Sequence, residues 1–231
     1  MKKKIKEWEN EIRIRNITIE SYKEILKINK NIKEVLDWGC GNGLMVMSIF
    51  PKCNITGIEK DSKLIQEANL NAELNNINFN GYTLKEFIEK EEAYDIVIMI
   101  GVIEYLNDDN FAEILSRVYK NLKPDGIILT SFCCWRPYSA IYLPYLIRNR
   151  MSTKQAYIEY SNIVGFEPSK FSLKEIITKF KKLNFEIINK GGINPYPSWL
   201  WRFVKTNKFF ITYNAIISKW YCKQFVLAKK K

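Results

Sequence analysis

The chain has 231 residues, 47% of them hydrophobic, enough for one full core and few for two, so a single domain with insertions is expected. It contains no histidine, which excludes Ser-His-Asp and Cys-His mechanisms, and its five cysteines, an odd number without a C-x-x-C pair, argue against a zinc site or a disulfide framework. The net charge of +11 is uneven: residues 1–130 hold 18 Lys and Arg against 21 Asp and Glu, whereas residues 131–231 hold 18 against 4, a net of +14.

The basic start Met1–Trp8 lacks the apolar centre and cleavage site of a secretory signal. The longest apolar run, Ile96–Ile103, has 8 residues against the roughly 20 that span a bilayer, and a cytoplasmic location is expected. The first 30 residues end in an amphipathic helical pattern through Tyr22, Ile25 and Leu26, with Ser21 and Glu24 at capping-box spacing. Residues 1–32 are therefore expected to be a helical flank.

A strand–helix alternation follows. Lys33–Trp38 reads as strand one, and three glycines at every second position, Gly39, Gly41 and Gly43, lead into a helix at Leu44–Phe50, stopped by Pro51. Asn54–Glu59 is strand two, and Ser62–Asn75 a helix capped by Asp61 or Ser62. Ile77–Asn80 is a short strand three, Gly81–Thr83 a turn, and Leu84–Lys90 a short helix. The unbroken apolar run Tyr94–Ile100 is a strand covered on both faces. A helix starting at Asp109 or Asn110 runs to about Leu122, its stripe made by Phe111, Ile114, Leu115 and Val118. Pro124-Asp125-Gly126 is a turn into strand five, Ile127–Phe132.

Trp135–Phe171, rich in Tyr, Arg and Ile with three prolines, breaks the rhythm and reads as an insertion on the substrate side. Ser172–Lys182 resumes as a helix, Phe185–Asn189 as a strand and Gln224–Ala228 as the last strand. Between these strands, Phe209, Tyr213, Ile216 and Trp220 share one face of an expected helix. The stretch Gly191–Lys231 holds eight basic residues, many aromatics and no acid, which suits anionic partners: phosphates, RNA or an acidic membrane face. The plainer reading is a helix packed by its aromatics with solvated lysines outside.

Alternating strands and helices build an α/β parallel sheet with helices on both sides, and such sheets bind ligands at the carboxyl ends of the strands. Asp37–Gly43, Glu59, Gly81–Thr83, Ile100–Tyr105 and Phe132–Arg136 converge on that edge. Glu59 suits a ribose diol, and Asp37 a ligand with an ammonium group. A dinucleotide fingerprint needs G-x-G-x-x-G, but here Leu44 stands where its third glycine belongs, so a nicotinamide dinucleotide is disfavoured.

The motifs Val35-Leu36-Asp37-Trp38-Gly39-Cys40-Gly41-Asn42-Gly43, Gly57-Ile58-Glu59, Tyr94-Asp95-Ile96-Val97, Glu104-Tyr105-Leu106 and Leu122-Lys123-Pro124-Asp125-Gly126 resemble those of class I S-adenosylmethionine-dependent methyltransferases. The resemblance spans residues 33–132 strongly. It implies a Rossmann-like, seven-stranded, mostly parallel sheet with an antiparallel final strand, within one methyltransferase domain. That domain comprises the flank 1–32, a cofactor-binding core 33–132, the insertion 135–171 and C-terminal strands with a basic aromatic segment in 172–231. The implied cofactor is S-adenosyl-L-methionine. Asp37, Gly39, Cys40, Gly41, Gly43, Glu59, Lys60, Tyr82, Thr83, Ile100 and Gly101 are its expected contacts, with Asp37 and the glycine loop at the methionine portion and Glu59 at the ribose.

Two departures stand out. The acid that members often carry after strand three is replaced by Tyr82 and Thr83, leaving Tyr82, Thr83 or Glu86 to meet adenine. The Glu-His pair common after strand four is Glu104-Tyr105, so either is a candidate base, and Glu104 could equally brace the next helix. Cys133 and Cys134 read as inert thiols. The expected acceptor is small or lipid-like and anionic, held by Arg136 and Tyr138, with Arg148 and Arg150 nearby; an RNA acceptor, peripheral membrane contact and a non-catalytic binding module are the alternatives. No metal is expected.

Overall fold

The computed structural model describes residues 16, 18–27, 31–87, 93–133, 171–195, 211–212 and 221–231. The insertion with Cys134, Arg136, Tyr138, Arg148 and Arg150, and most of the aromatic stretch Trp199–Trp220, lie outside the described residues. The strands are β1 (Glu34–Trp38), β2 (Asn54–Ile58), β3 (Phe79–Tyr82), β4 (Tyr94–Ile100), β5 (Leu122–Cys133), β6 (Phe185–Pro195), β7 (Ile211–Thr212) and β8 (Tyr221–Lys230). The helices are α1 (residues 18–26), α2 (Leu44–Ile49), α3 (Ser62–Asn75), the single turn α4 (Leu84–Phe87), α5 (Asp108–Asn121) and α6 (Leu173–Lys182).

The sheet order is β3-β2-β1-β4-β5-β8-β6-β7. The five strands β3 to β5 run parallel, and β8 inserts antiparallel between β5 and β6. These are the seven expected strands; β7, a two-residue edge pairing with β6, makes an eighth. It corrects the expected helix at those positions, because Ile211 and Thr212 pair as a strand with Ile193 and Gly192.

Side chains alternate between two cores, as a twice-covered sheet requires. On one face, Val35, Ile96, Ile98 and Leu129 meet Tyr22 and Ile25 of α1, Val46 and Met47 of α2, and Ala68 and Ala72 of α3. On the other, Leu36, Val97, Met99 and Ile128 meet Phe111 and Leu115 of α5 and Ile176 and Phe180 of α6. Phe111, Phe180 and Phe225 are fully buried, each contributing about 1.5–3 kcal/mol.

The ends of elements differ from the sequence expectation where a cap or a pairing takes over. Asp61 does cap α3, accepting from Lys63 N at 2.9 Å. Helix α5 starts earlier, at Asp108, because the Asn107 side chain accepts from Asn110 N at 2.8 Å. Ser21 is no cap: it lies inside α1 and is fully buried. Gly81 and Tyr82 end β3 rather than form a turn, since they pair with Gly57 and Ile58. Pro124–Gly126 is a bulge within β5, where the register with β4 steps from Tyr94–Leu122 to Ile96–Ile127, and Asp125 takes φ +63°.

A buried polar contact, Tyr22 Oη to Ser131 Oγ at 2.7 Å, ties helix α1 to the sheet near the carboxyl end of β5. Tyr22→Phe strands the Ser131 hydroxyl in the core and is expected to cost about 1–3 kcal/mol by urea denaturation. An unchanged midpoint would show that the contact contributes nothing.

Candidate cofactor and acceptor site

The loop after β1 is built from non-local hydrogen bonds. Gly39 N and Cys40 N both donate to Ile58 O of β2, at 2.8 and 3.0 Å, and Gly43 N closes the turn on Cys40 O at 2.9 Å. Gly39, Gly41 and Gly43 all have positive φ, at 81°, 53° and 75°. Their surroundings differ. A Cβ on Gly39 would meet Val102 Cγ2 at 2.6 Å, and one on Gly43 would meet Met47 Cε at 2.6 Å, so these two seal the loop against the domain. A Cβ on Gly41 would meet nothing within 4 Å, and the same holds for Gly101, with φ +71°, at the end of β4. Two positive-φ glycines thus leave open space at the carboxyl ends of β1 and β4.

Two carboxylates stand at that edge. Glu59 is oriented by backbone amides: Gly41 N donates to Oε2 at 3.1 Å, and Lys60 N and Asp61 N to Oε1 at 2.8 and 3.4 Å. Each oxygen retains acceptor capacity for a diol. Asp37 is different, being only 5% exposed, with a side chain that makes no hydrogen bond or ion pair among the described residues. Burial first, and the Glu59 charge second, push its carboxyl up to about 7. A buried, bondless carboxylate beside a second acid suits a cationic ligand.

The other expected contacts divide. Cys40 is buried and its thiol is raised by burial, then by Asp37 and Glu59, so it is no nucleophile. Lys60 is exposed, its ammonium 6.0 Å from the centre of the Tyr105 ring. Ile100 and Tyr82 are half-buried. Thr83 N and Oγ1 both donate to Glu86 Oε2 at 2.7 Å, a capping box for α4 that occupies both residues and holds the Glu86 carboxyl below its usual range.

The two candidate bases are sharply distinguished. Tyr105 is 66% exposed, whereas Glu104 is 5% exposed and accepts from Cys133 N at 2.6 Å. That bond links the carboxyl ends of β4 and β5, and no sequence signal within either strand announces it. Among the described residues no group of three or more His, Cys, Asp or Glu could hold a metal ion, and no helix is long and apolar enough to cross a membrane. A cavity of about 560 Å³ at α6 and β6, lined in part by Lys181, Asn184 and Lys190, includes neither Asp37 nor Glu59, and β6 is four strands from β1 in the sheet order.

Comparison with known proteins agrees with this architecture. The chain is 32% identical over 124 residues to a ubiquinone biosynthesis O-methyltransferase of Rickettsia typhi, an overlap of 52% of this chain and 50% of that protein. It is 29% identical over 119 residues to a malonyl-[acyl-carrier protein] O-methyltransferase of Bacillus cereus, covering 50% of this chain and 41% of that one. The chain therefore spans half or less of the length of these curated relatives. The magnesium protoporphyrin IX methyltransferase of Synechocystis PCC 6803, solved with bound SAH, superposes with a TM-score of 0.64 at 16% identity, covering 96% of this chain and 86% of that one, and so shares the fold. Residues 10–190 match the family described as "Methyltransferase domain", and the chain belongs to it, among the class I S-adenosylmethionine-dependent methyltransferases.

Proposed function

We propose that the chain transfers a methyl group from S-adenosylmethionine to a small or lipid-like acceptor that carries an anionic group. The observation that supports it best is Asp37, a buried carboxylate with no partner among the described residues, beside open-faced glycines at positions 41 and 101. An amino-acid ammonium group satisfies that carboxylate. In this reading Asp37 and the Gly39–Gly43 loop hold the methionine portion, Glu59 the ribose diol, and Ile100 and Gly101 the wall opposite. Tyr82, half-buried at the end of β3, is the residue proposed to stack on adenine. Bound there, the donor supplies a methyl group activated on a sulfonium; the protein's own work is orientation and exclusion of water.

The relatives' names, both O-methyltransferases, favour oxygen as the receiving atom. The acceptor's negative charge is argued from the +14 half of the chain, with Arg136 and Tyr138 as the proposed contacts. The test is calorimetric titration of S-adenosylhomocysteine into the free protein from pH 5 to 8. If the ligand's ammonium meets ionised Asp37, affinity falls as that carboxyl protonates, by about tenfold from pH 8 to pH 6 and about tenfold more by pH 5. No measurable binding, or an affinity flat across that range, sinks the assignment of Asp37.

A further inference from the structure

Outside the cofactor pocket, one polar cluster is left without a role. At the carboxyl ends of β4 and β5, Glu104 Oε1 accepts from Cys133 N at 2.6 Å, while Oε2 of the same carboxylate is buried with no hydrogen-bond partner among the described residues. The groups around it come from three elements. Tyr22 of α1 is tied to Ser131 of β5, and Lys223 of β8 stands opposite Cys133 in the sheet register. Burial raises the Glu104 carboxyl above its usual range, opposed by the Cys133 amide, its own backbone amide, the Lys223 charge and the Cys133 thiol.

Leaving a carboxylate oxygen buried and unpaired costs several kcal/mol, so such a group calls for a ligand or a function. A structural brace needs only Oε1, which already bridges the two strands. Glu104 lies in the segment that follows β4, and β4 is the strand next to β1, whose end carries Asp37, so the orphan oxygen and Asp37 belong to neighbouring strand ends. Tyr105, the neighbouring candidate, is largely exposed and lacks this enclosure.

We propose that Glu104 Oε2 is the proton acceptor for a hydroxyl group of the substrate, so that the product is a methyl ether and not a methyl ester. The proposal rests on the methyltransferase reading and deepens it by naming the reacting group. In the step, the acceptor O–H bond breaks and its proton passes to Glu104 Oε2. The freed electron pair on oxygen forms the new O–CH3 bond. The pair of the breaking C–S bond stays on the donor sulfur, which becomes a neutral thioether, and Glu104 later returns its proton to solvent. A carboxylate acceptor has no proton to give, and its charge is repelled by an ionised Glu104 at the point of reaction.

The experiment uses the whole chain with hydroxylated carboxylates as probes: 3,4-dihydroxybenzoate, salicylate and a long-chain 3-hydroxy acid. Each offers both oxygens, and mass spectrometry with base hydrolysis separates ether from ester. Methyl ethers are expected; methyl esters overturn the proposal. Glu104→Gln keeps the oxygen that Cys133 N needs, so the fold is retained, and kcat is expected to fall at least 100-fold with the alkaline-rising limb of its pH profile lost. Its affinity for S-adenosylhomocysteine should stay within twofold of wild type. An independent readout is the infrared difference spectrum on adding 3,4-dihydroxybenzoate to the S-adenosylhomocysteine complex, where a carboxyl band shifts in wild type and is missing in Glu104→Gln. Identical spectra, or an undiminished kcat, reject Glu104 as the proton acceptor. Failure of the wild-type protein to bind S-adenosylhomocysteine would instead remove the methyltransferase reading beneath it.

Discussion

Asp37→Asn is expected to lower affinity for S-adenosylmethionine and S-adenosylhomocysteine at least 100-fold while making the free protein more stable. Both effects have one origin. The Asp37 side chain is buried with no partner among the described residues, and its carboxyl is raised to about 7 by desolvation and by Glu59, so ionising it inside the folded protein is unfavourable. Against an unfolded-state value near 3.8, that penalty is about 4 kcal/mol at pH 8. Asparagine removes it without changing volume. The same substitution removes the proposed charge-assisted contact to the ligand's ammonium, worth about 3 kcal/mol in an enclosed site, hence the expected loss in affinity.

The pH dependence separates this explanation from simple repacking. Between about pH 4 and 7 the folded protein binds more protons at Asp37 than the unfolded chain does, so the stability of the wild-type free protein falls as pH rises through this window. Asp37→Asn should therefore outlast wild type by about 4 kcal/mol at pH 8 and by less than about 2 kcal/mol at pH 5, the two converging below about pH 4, as read by thermal melts of ligand-free protein. Equal melting temperatures at pH 8 would mean that the carboxylate is not strained in the free state. Retained affinity would mean that it is not in the site.

A second pair of variants reads the division of labour within the glycine loop. Gly39→Ala forces a methyl to 2.6 Å from Val102 Cγ2 at φ +81°, and backbone strain with overpacking together cost about 2–4 kcal/mol. Gly41→Ala has open space around its methyl and only the strain of φ +53°, about 1 kcal/mol, but the methyl enters the space assigned to the ligand. Denaturation should penalise Gly39→Ala more, and calorimetry should show Gly41→Ala losing at least tenfold in S-adenosylhomocysteine affinity. The opposite pattern would move the ligand off this loop.

The core of the fold is legible in the chain because its signals are local. Val35–Trp38, Asn54–Ile58 and Tyr94–Ile100 alternate between two buried faces, and the intervening apolar stripes have helical period, so a parallel sheet with two helix layers follows from spacing alone. The Asp37–Gly43 loop and Glu59 are legible for the same reason: each directly follows a strand, and strand ends in such a sheet meet at one edge. Boundaries depart from the local signal wherever a distant partner sets them. Gly81 and Tyr82 belong to β3 because Gly57 and Ile58 are there to pair, and β6 and β8 run beyond their apolar centres because each supplies the other's hydrogen bonds.

The tertiary structure alone decided what the side chains do. That the Asp37 side chain meets no partner among the described residues, that Thr83 and Glu86 satisfy each other, and that Glu104 reaches Cys133 while Tyr105 lies exposed all depend on contacts the sequence cannot order. Sequence period sets which face of an element is apolar; which polar group is left without a partner depends on elements far apart in the chain arriving at one place, as Tyr22 and Ser131 do across 109 positions. The chain by itself therefore determined the sheet, the loop and the kind of methyl donor, and only folding determined which carboxylates are buried and which polar atoms they meet.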